Sequence, residues 1–293
     1  MVVDMDTPII RISLFLFVLA FFALLENFYP RRRPGGNTKE RWKTNFSISI
    51  ISQVLLQLML PLSAVLIAVL ASGNNFGLFN NIEWPVFIEG ALVFLLLDFS
   101  IYIQHVLSHK IPILWQIHKV HHSDRELDTS TAVRFHPLEI YISMLYKSIV
   151  IIVLGPSAVL VLIFEIVLSS SAIFNHANLK LPAKIDRLLR KTIVTPDMHR
   201  LHHSVREFES NKNYGFNFSF WDRVFDTHLK VSDEYHKKMT LELKNEILGV
   251  FILTMIGNNR LVYIMENLDN FIAYIPFWFT VIDFIVSSIY QEY

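Results

Sequence analysis

The chain has 293 residues, of which 53% are hydrophobic and 18% charged, with 26 basic against 26 acidic side chains. That is too apolar for an ordinary soluble domain, and a net charge of zero removes the general electrostatic case for binding nucleic acid. Cysteine is absent, which excludes disulfides, thiolate zinc sites, cysteine-held iron–sulfur clusters and cysteine nucleophiles.

In chain order, Ile9 to Phe28 is apolar except for Arg11 and Glu26. Basic residues follow it where a cleaved signal would have a small-residue site, so it reads as a spanning helix. Phe46 to Ala71, 26 residues, predicts one tilted or kinked span with Pro61 in its interior. Val86 to Ile103 is a third span, interrupted by Glu89 and Asp98. Leu138 to Leu154 and Pro156 to Phe174 are divided by Gly155-Pro156, a pair that favours a turn and therefore a membrane hairpin. Phe271 to Tyr290 is a further span or an interfacial helix.

Loop charges set the orientation. Arg31, Arg32, Arg33, Lys39, Arg41 and Lys43 oppose only Glu40, whereas residues 72–85 contain no Lys or Arg. The positive-inside rule places residues 29–45 in the cytoplasm and the N-terminus, with Asp4 and Asp6, outside. The basic loop reads most simply as a topology signal that holds anionic headgroups. The expected fold is an all-α integral membrane protein with about four to five transmembrane helices, capped by a cytoplasmic histidine-rich helical lobe. That lobe draws on residues 105–137 and from Asn175 to about Asn245, which are polar and rich in turn formers.

Eight of the 12 histidines fall in three five-residue stretches: His105 and His109; His118, His121 and His122; His199, His202 and His203. Spacings of three and four put such residues on one helix face, a pattern that scattered surface histidines do not produce twice as HxxHH. Neutral imidazole suits zinc, copper, iron and nickel, not calcium or magnesium. A single four-coordinate zinc would leave half the rings idle. Eight rings supply about four ligands to each of two metals, with room for water or dioxygen. An HExxH protease is excluded, because Val106 and Lys119 stand where the glutamate would be. Two irons that activate dioxygen are the favoured reading.

Further residues carry a family resemblance. Asp98, Tyr102, His105 and His109, then Leu114-Trp115 with His118, His121, His122 and Ser123, begin an ordered series of matches. It continues through Arg134-Phe135-His136-Pro137, Asn175-His176-Ala177-Asn178, Thr195-Pro196 with His199, His202, His203 and Ser204, then Asn213-Tyr214-Gly215 and Trp221-Asp222-Arg223-Val224-Phe225. From about residue 98 to 227 the chain resembles the fatty acid hydroxylase/sterol desaturase superfamily of histidine-box membrane oxygenases. The resemblance implies about four spans beneath a cytoplasmic di-iron centre, the eight box histidines as ligands, and hydroxylation or desaturation of a lipid, sterol or similar apolar molecule. Val106 stands where the family commonly has Arg, and Asp226 where it commonly has Gly. The implied organisation is 1–97, N-terminal spans and basic loop; 98–245, a fatty acid hydroxylase-like catalytic region with its membrane hairpin; and 246–293, a C-terminal hydrophobic extension.

Around the boxes, His176 is the better candidate for a further ligand, since it emerges from the fifth apolar run on the metal side. His136 is a candidate further ligand, with orientation of the turn before Pro137 as the alternative. Asp98, Tyr102, His136, Asn175 and Asn178 are the candidates for groups that surround and orient the ligands, Asp98 because it shares a helical stripe with His105. No catalytic side chain beyond the ligands is expected, since the cofactors, two non-haem iron ions with O2 as co-substrate, supply the oxidising power. His228 and His236, in a charged tail, read as surface residues. Lys147 and Glu165 lie at similar depth in the hairpin and are expected to pair, with a substrate tunnel between their helices as the alternative. Trp115, Trp221 and Phe225 read as interfacial or core aromatics.

The partners follow from these features: a lipid substrate in the membrane, no nucleic acid, and a separate electron donor (a ferredoxin, cytochrome or reductase), because the chain has no GxGxxG motif with which to collect electrons. Two other functions compete. One is a pterin-dependent ether-lipid monooxygenase of the same superfamily. The other is a non-enzymatic metal-binding or transport membrane protein, which would place its ligands near the midplane of the spans.

Overall fold

A computed structural model describes residues 7–241. Among the described residues, five segments are long and apolar enough to cross a membrane: Ile9–Phe28, Thr38–Gly73, Val86–Lys110, Pro137–Leu154 and Ala158–His176. They contain helices α1 (Thr7–Phe28), α2 (Thr38–Met59), α3 (Ala64–Gly73), α4 (Val86–Lys110), α6 (Pro137–Leu154) and α7 (Ala158–His176), with α5 (Pro112–His122) between α4 and α6. After α7 come five short helices: α8 (Ala183–Leu189), α9 (Pro196–His202), α10 (Glu207–Ser210), α11 (Phe220–Val224) and α12 (Asp233–Lys238). Among the described residues the only β-pairing is two isolated bridges, Pro30 with Leu179 and Ile193 with Phe218. The Phe271–Tyr290 segment and the 246–293 extension lie outside the described residues.

Apolar side chains such as Phe17, Leu24, Ile50, Phe87 and Ile149 are exposed along these helices. Apolar surface on that scale is stable only against lipid. The outer half of the bundle has its own core, in which Val65, Ile67, Val93, Leu97, Ile151 and Phe164 pack together.

The second span is broken, not merely kinked. α2 stops at Met59, and α3 restarts at Ala64 with the Ser63 hydroxyl capping the Leu66 N–H at 3.1 Å. Pro61 has no N–H to continue the ladder, and the four-residue gap around it resets the helix. The hairpin forms as expected. Gly155 ends α6 at φ +65°, and a Cβ there would lie 2.4 Å from the Phe76 carbonyl oxygen, so this turn needs glycine both for its backbone angle and for its close approach to residues 76–77. The turn thus fastens the 76–80 loop to the end of the bundle remote from the histidines.

At the opposite end the lobe is held on by ion pairs. Arg31, buried, donates from Nε to Asp197 Oδ1 at 2.8 Å, and Arg41 reaches Asp124 and Asp128, each at 2.8 Å. The basic loop and the histidine lobe therefore share one side. This corrects the reading of that loop as a headgroup-holding signal alone: two of its arginines are spent on internal carboxylates.

Candidate metal centre

Four separate helices deliver nine histidines to one place. The last turns of α4 supply His105 and His109, α5 supplies His118, His121 and His122, the final residue of α7 is His176, and α9 with its C-cap supplies His199, His202 and His203. The rings form two groups. His105, His109, His118, His122 and His202 make one, and His121, His176, His199 and His203 the other, with the ligand atoms of each group all within 4.8 Å of one another. Helical spacing explains the division. In each HxxHH stretch the i,i+4 pair turns to one group and the i+3 ring to the other: His118 and His122 against His121, and His199 and His203 against His202.

The hydrogen bonds fix most tautomers. His105 donates its Nδ1–H to the Tyr214 carbonyl at 2.8 Å, His121 to that of Arg134 at 3.1 Å, and His202 to that of Lys212 at 2.9 Å. His176 donates to the Ala172 carbonyl at 2.6 Å, and His118 to Glu139 Oε1 at 2.5 Å. A carbonyl oxygen only accepts, so these Nδ1 atoms carry the proton and a neutral ring presents a bare lone pair at Nε2. Yet His121 Nε2 lies 3.0 Å from His176 Nε2, which is itself 3.0 Å from His199 Nε2. The lone pairs of His121 and His176 face each other, an arrangement that costs energy without a cation between them. Two nitrogens at right angles, each about 2.1 Å from a shared ion, would sit about 3.0 Å apart.

In the other group His109 Nε2, His118 Nε2, His202 Nε2 and both nitrogens of His122 are buried with no hydrogen-bond partner. Buried polar atoms rarely go unpaired. Burial, followed by the neighbouring imidazoles, holds His121, His122, His199, His202 and His203 well below the ordinary histidine value, so these rings are neutral at physiological pH. Neutral, convergent nitrogen is a donor set that suits a transition-metal ion, and each of the two groups could hold one.

Aromatic rings wall the centre. Phe135 stacks on His121 with centroids 4.4 Å apart, Trp115 lies 4.9 Å from His109, and Tyr214 lies 5.2 Å from His109. Behind α5, Arg134 donates to the Val120 carbonyl, Asn45 Oδ1 and Ser123 Oγ, and Asn45 in turn donates to Asp124. Burial alone would raise Asp124, but Arg41, Arg134 and Thr131 hold its carboxyl below the usual range. This network pins α2 to the second histidine stretch.

Several expected neighbours of the ligands lie elsewhere. Asp98 accepts from the Asn217 and Phe218 backbone N–H groups at 3.2 Å and from Trp221 Nε1 at 2.9 Å, so it anchors the lobe to α4 and orients no histidine. Tyr102 hydrogen-bonds Thr227 at 2.9 Å, Asn175 donates to the Phe216 carbonyl, and Asn178 to that of Arg32. His136 stands outside both groups and caps α6, its Nδ1 accepting from the Leu138 N–H at 3.1 Å. His236 is buried, not superficial, because α12 packs against α9. His176, by contrast, is central to the four-ring group.

Sequence reasoning missed Glu139 and Asp222. Glu139 binds His118, as described. Asp222 receives the Tyr214 and Gly215 N–H groups at 2.7 and 2.9 Å, which aims the Tyr214 carbonyl at His105.

A cavity of about 800 Å³ opens from the histidines into the membrane region between α1, α2, α4, α6 and α7. His105, His118, His121 and His199 form its floor, and Phe15, Ile101, Phe135, Ile140 and Phe216 contribute apolar wall. Lys147 and Glu165 pair within it at 2.7 Å, as the hairpin predicts, and the same residues line the cavity.

Residues 90–227 match a protein-family profile described as fatty acid hydroxylase. The chain is 30% identical to alkylglycerol monooxygenase of Homo sapiens over 159 residues, 53% of this chain and 33% of that protein. It is 29% identical to the ornithine lipid hydroxylase OlsE of Rhizobium tropici over 146 residues, 50% of this chain and 43% of that protein. With alkylglycerol monooxygenase of Danio rerio it shares 30% identity over 194 residues, 65% of this chain and 41% of that protein. The match thus spans less than half the length of each of these relatives. No solved structure matches the chain.

Proposed function

We propose that this chain, which belongs over residues 90–227 to the fatty acid hydroxylase superfamily, is an integral membrane oxidoreductase that uses two irons and O2 to hydroxylate or desaturate a lipid. The observation that carries the reading is the pair of histidine groups with opposed bare nitrogens, set at the mouth of a membrane-embedded cavity. His105, His109, His118, His122 and His202 would hold one iron, and His121, His176, His199 and His203 the other. Bound there, the metals supply the oxidising power that unactivated C–H bonds demand and that no side chain possesses.

The chain's own residues do the rest. Carbonyls of Tyr214, Arg134, Lys212 and Ala172, with the Glu139 carboxylate, keep the proton on Nδ1 and turn Nε2 inward. Phe135, Ile140 and Phe216 favour an apolar chain beside the rings and discourage water there. Electrons would come from a separate donor that docks on the histidine lobe, and the basic loop on that side supports a cytoplasmic orientation for the lobe.

A second reading is favoured by the relatives named alkylglycerol monooxygenase: ether-lipid cleavage through pterin-dependent hydroxylation. A metal transporter fits poorly, because the rings gather at helix ends and in the lobe, not at mid-span.

The deciding experiment measures iron in the purified protein and its oxygen consumption when a reduced electron donor is supplied, and compares the lipids of cells with and without the protein. About two irons per chain, oxygen uptake and an oxidised lipid support the oxygenase, and a pterin requirement selects the ether-lipid reading. Metal flux without lipid oxidation would overturn both.

A further inference from the structure

The cavity between the membrane helices carries polar side chains among its apolar lining, and they are ordered. On α2, Ser49, Gln53 and Gln57 follow one another at intervals of four and all line it; on α6, Ser143 and Lys147 do the same, and on α7, Glu165 and Ser169. That spacing keeps each series on one helix face, so three helices turn hydrophilic stripes onto the same space. A wall built only for hydrocarbon would not need them, and polar groups within spans are costly unless they serve a pathway or a ligand.

At the end remote from the histidines the stripes reach three charges. Glu165 Oε1 accepts a hydrogen bond from Lys147 Nζ at 2.7 Å, and its Oε2 forms an ion pair with Arg11 Nη2 at 2.9 Å. Arg11 also lines the cavity, and among its described lining residues the one other carboxylate, Glu139, is engaged with His118 at the histidine end. Among the described lining residues, two cations against one anion leave a single positive charge at that end of the space. Lys147 stands eight residues along α6 from Glu139, and Glu165 eleven residues along α7 from His176. At about 1.5 Å per residue those separations are roughly 12 and 16 Å.

We propose that the cavity binds a single-chain amphiphile head-first, its monoanionic headgroup against Arg11 and Lys147 and its chain running down to the histidines. The charge balance selects the class: one anion makes the cluster neutral, two for two. The hydrophilic stripes accommodate the headgroup as it passes, and the apolar residues near the metals take the chain. The position that meets the histidines would then be set by length, on the order of ten methylenes from the head for a gap of roughly 12–16 Å. That last statement rests on the oxygenase reading; the anion site itself does not.

The test is equilibrium binding of hexadecanoate, its methyl ester and hexadecan-1-ol to the purified full-length protein in lipid nanodiscs. Wild type is expected to bind the acid at least about tenfold more tightly than either neutral ligand, a difference of about 1.4 kcal/mol. Arg11→Gln and Lys147→Met should each abolish most of that preference while leaving ester and alcohol binding as they were. Glu165→Gln, which removes the neutralising carboxylate, should tighten hexadecanoate binding severalfold, a gain that damaged packing cannot produce. Equal binding of acid and ester by wild type, or weaker acid binding by Glu165→Gln with ester binding intact, would overturn the proposal. Acid preference without oxygen consumption would sink the oxygenase and leave this site standing; oxygen consumption on neutral lipids without acid preference would do the reverse.

Discussion

His118 donates its Nδ1–H to Glu139 Oε1 over 2.5 Å, so a ring in the second half of α5 is oriented by a carboxylate in the first turn of α6. The membrane hairpin thereby takes part in aiming a candidate metal ligand.

Replacing that carboxylate tests the coupling. Glu139→Gln keeps the shape but weakens the hold on the His118 tautomer, and loss of such a partner typically lowers metal affinity about 10- to 100-fold. Competition with a chelator should show this loss in the five-ring group. Unchanged affinity would mean that Glu139 is a spectator.

The division into two groups predicts which metal each ring controls. His121→Ala should deplete the four-ring site and His202→Ala the five-ring site, each bringing the iron content from about two per chain toward one and abolishing product. Elemental analysis of the purified variants, still membrane-inserted, provides the readout. Full activity in either variant would refute the assignment of that ring.

Asp98 makes a different prediction because it touches no histidine. Asp98→Ala strands the N–H groups of Asn217, Phe218 and Trp221 in a buried setting, at about 1–3 kcal/mol for each unsatisfied donor. A lower melting temperature with normal iron per folded chain is expected. Loss of iron at unchanged stability would return Asp98 to the neighbourhood of the metals.

Acid should weaken the metal-free protein. His121, His122, His199, His202 and His203 are held below the ordinary value of about 6.5, so the unfolded chain takes up protons first as pH falls. Their contribution to stability is complete above about pH 6.5 and declines below it. Asp124, held below its usual range, adds its own loss only in much stronger acid. Thermal melts of chelator-treated protein between neutral pH and pH 5 should trend downward. A flat profile would contradict the buried neutral rings.

The features legible in the sequence are those that depend on local spacing. Apolar runs of spanning length, the Gly155-Pro156 turn and the repeated HxxHH stretches each carry their geometry within a few residues, and His176 could be placed by following one helix to its end. The partners of the ligands could not be read this way. Tyr214, Arg134, Lys212 and Ala172 act through backbone carbonyls, which every residue possesses, and Glu139 reaches His118 only because α6 folds back beside α5. Asp98 misled because seven residues place it on the His105 stripe, yet two helical turns also carry it about 10 Å along the axis, into reach of Trp221. His236 sits among charges in the sequence, and only the packing of α12 on α9 hides it.

The opposed lone pairs of His121 and His176 have a cellular consequence. Without a cation this seam between spans and lobe pushes itself apart, so newly made protein in an iron-starved cell is expected to be a preferred target of membrane quality control. Its abundance would follow iron supply after translation, with message levels unchanged. Pulse-chase turnover during chelation would reveal that rationing, and an unaltered half-life would rule it out.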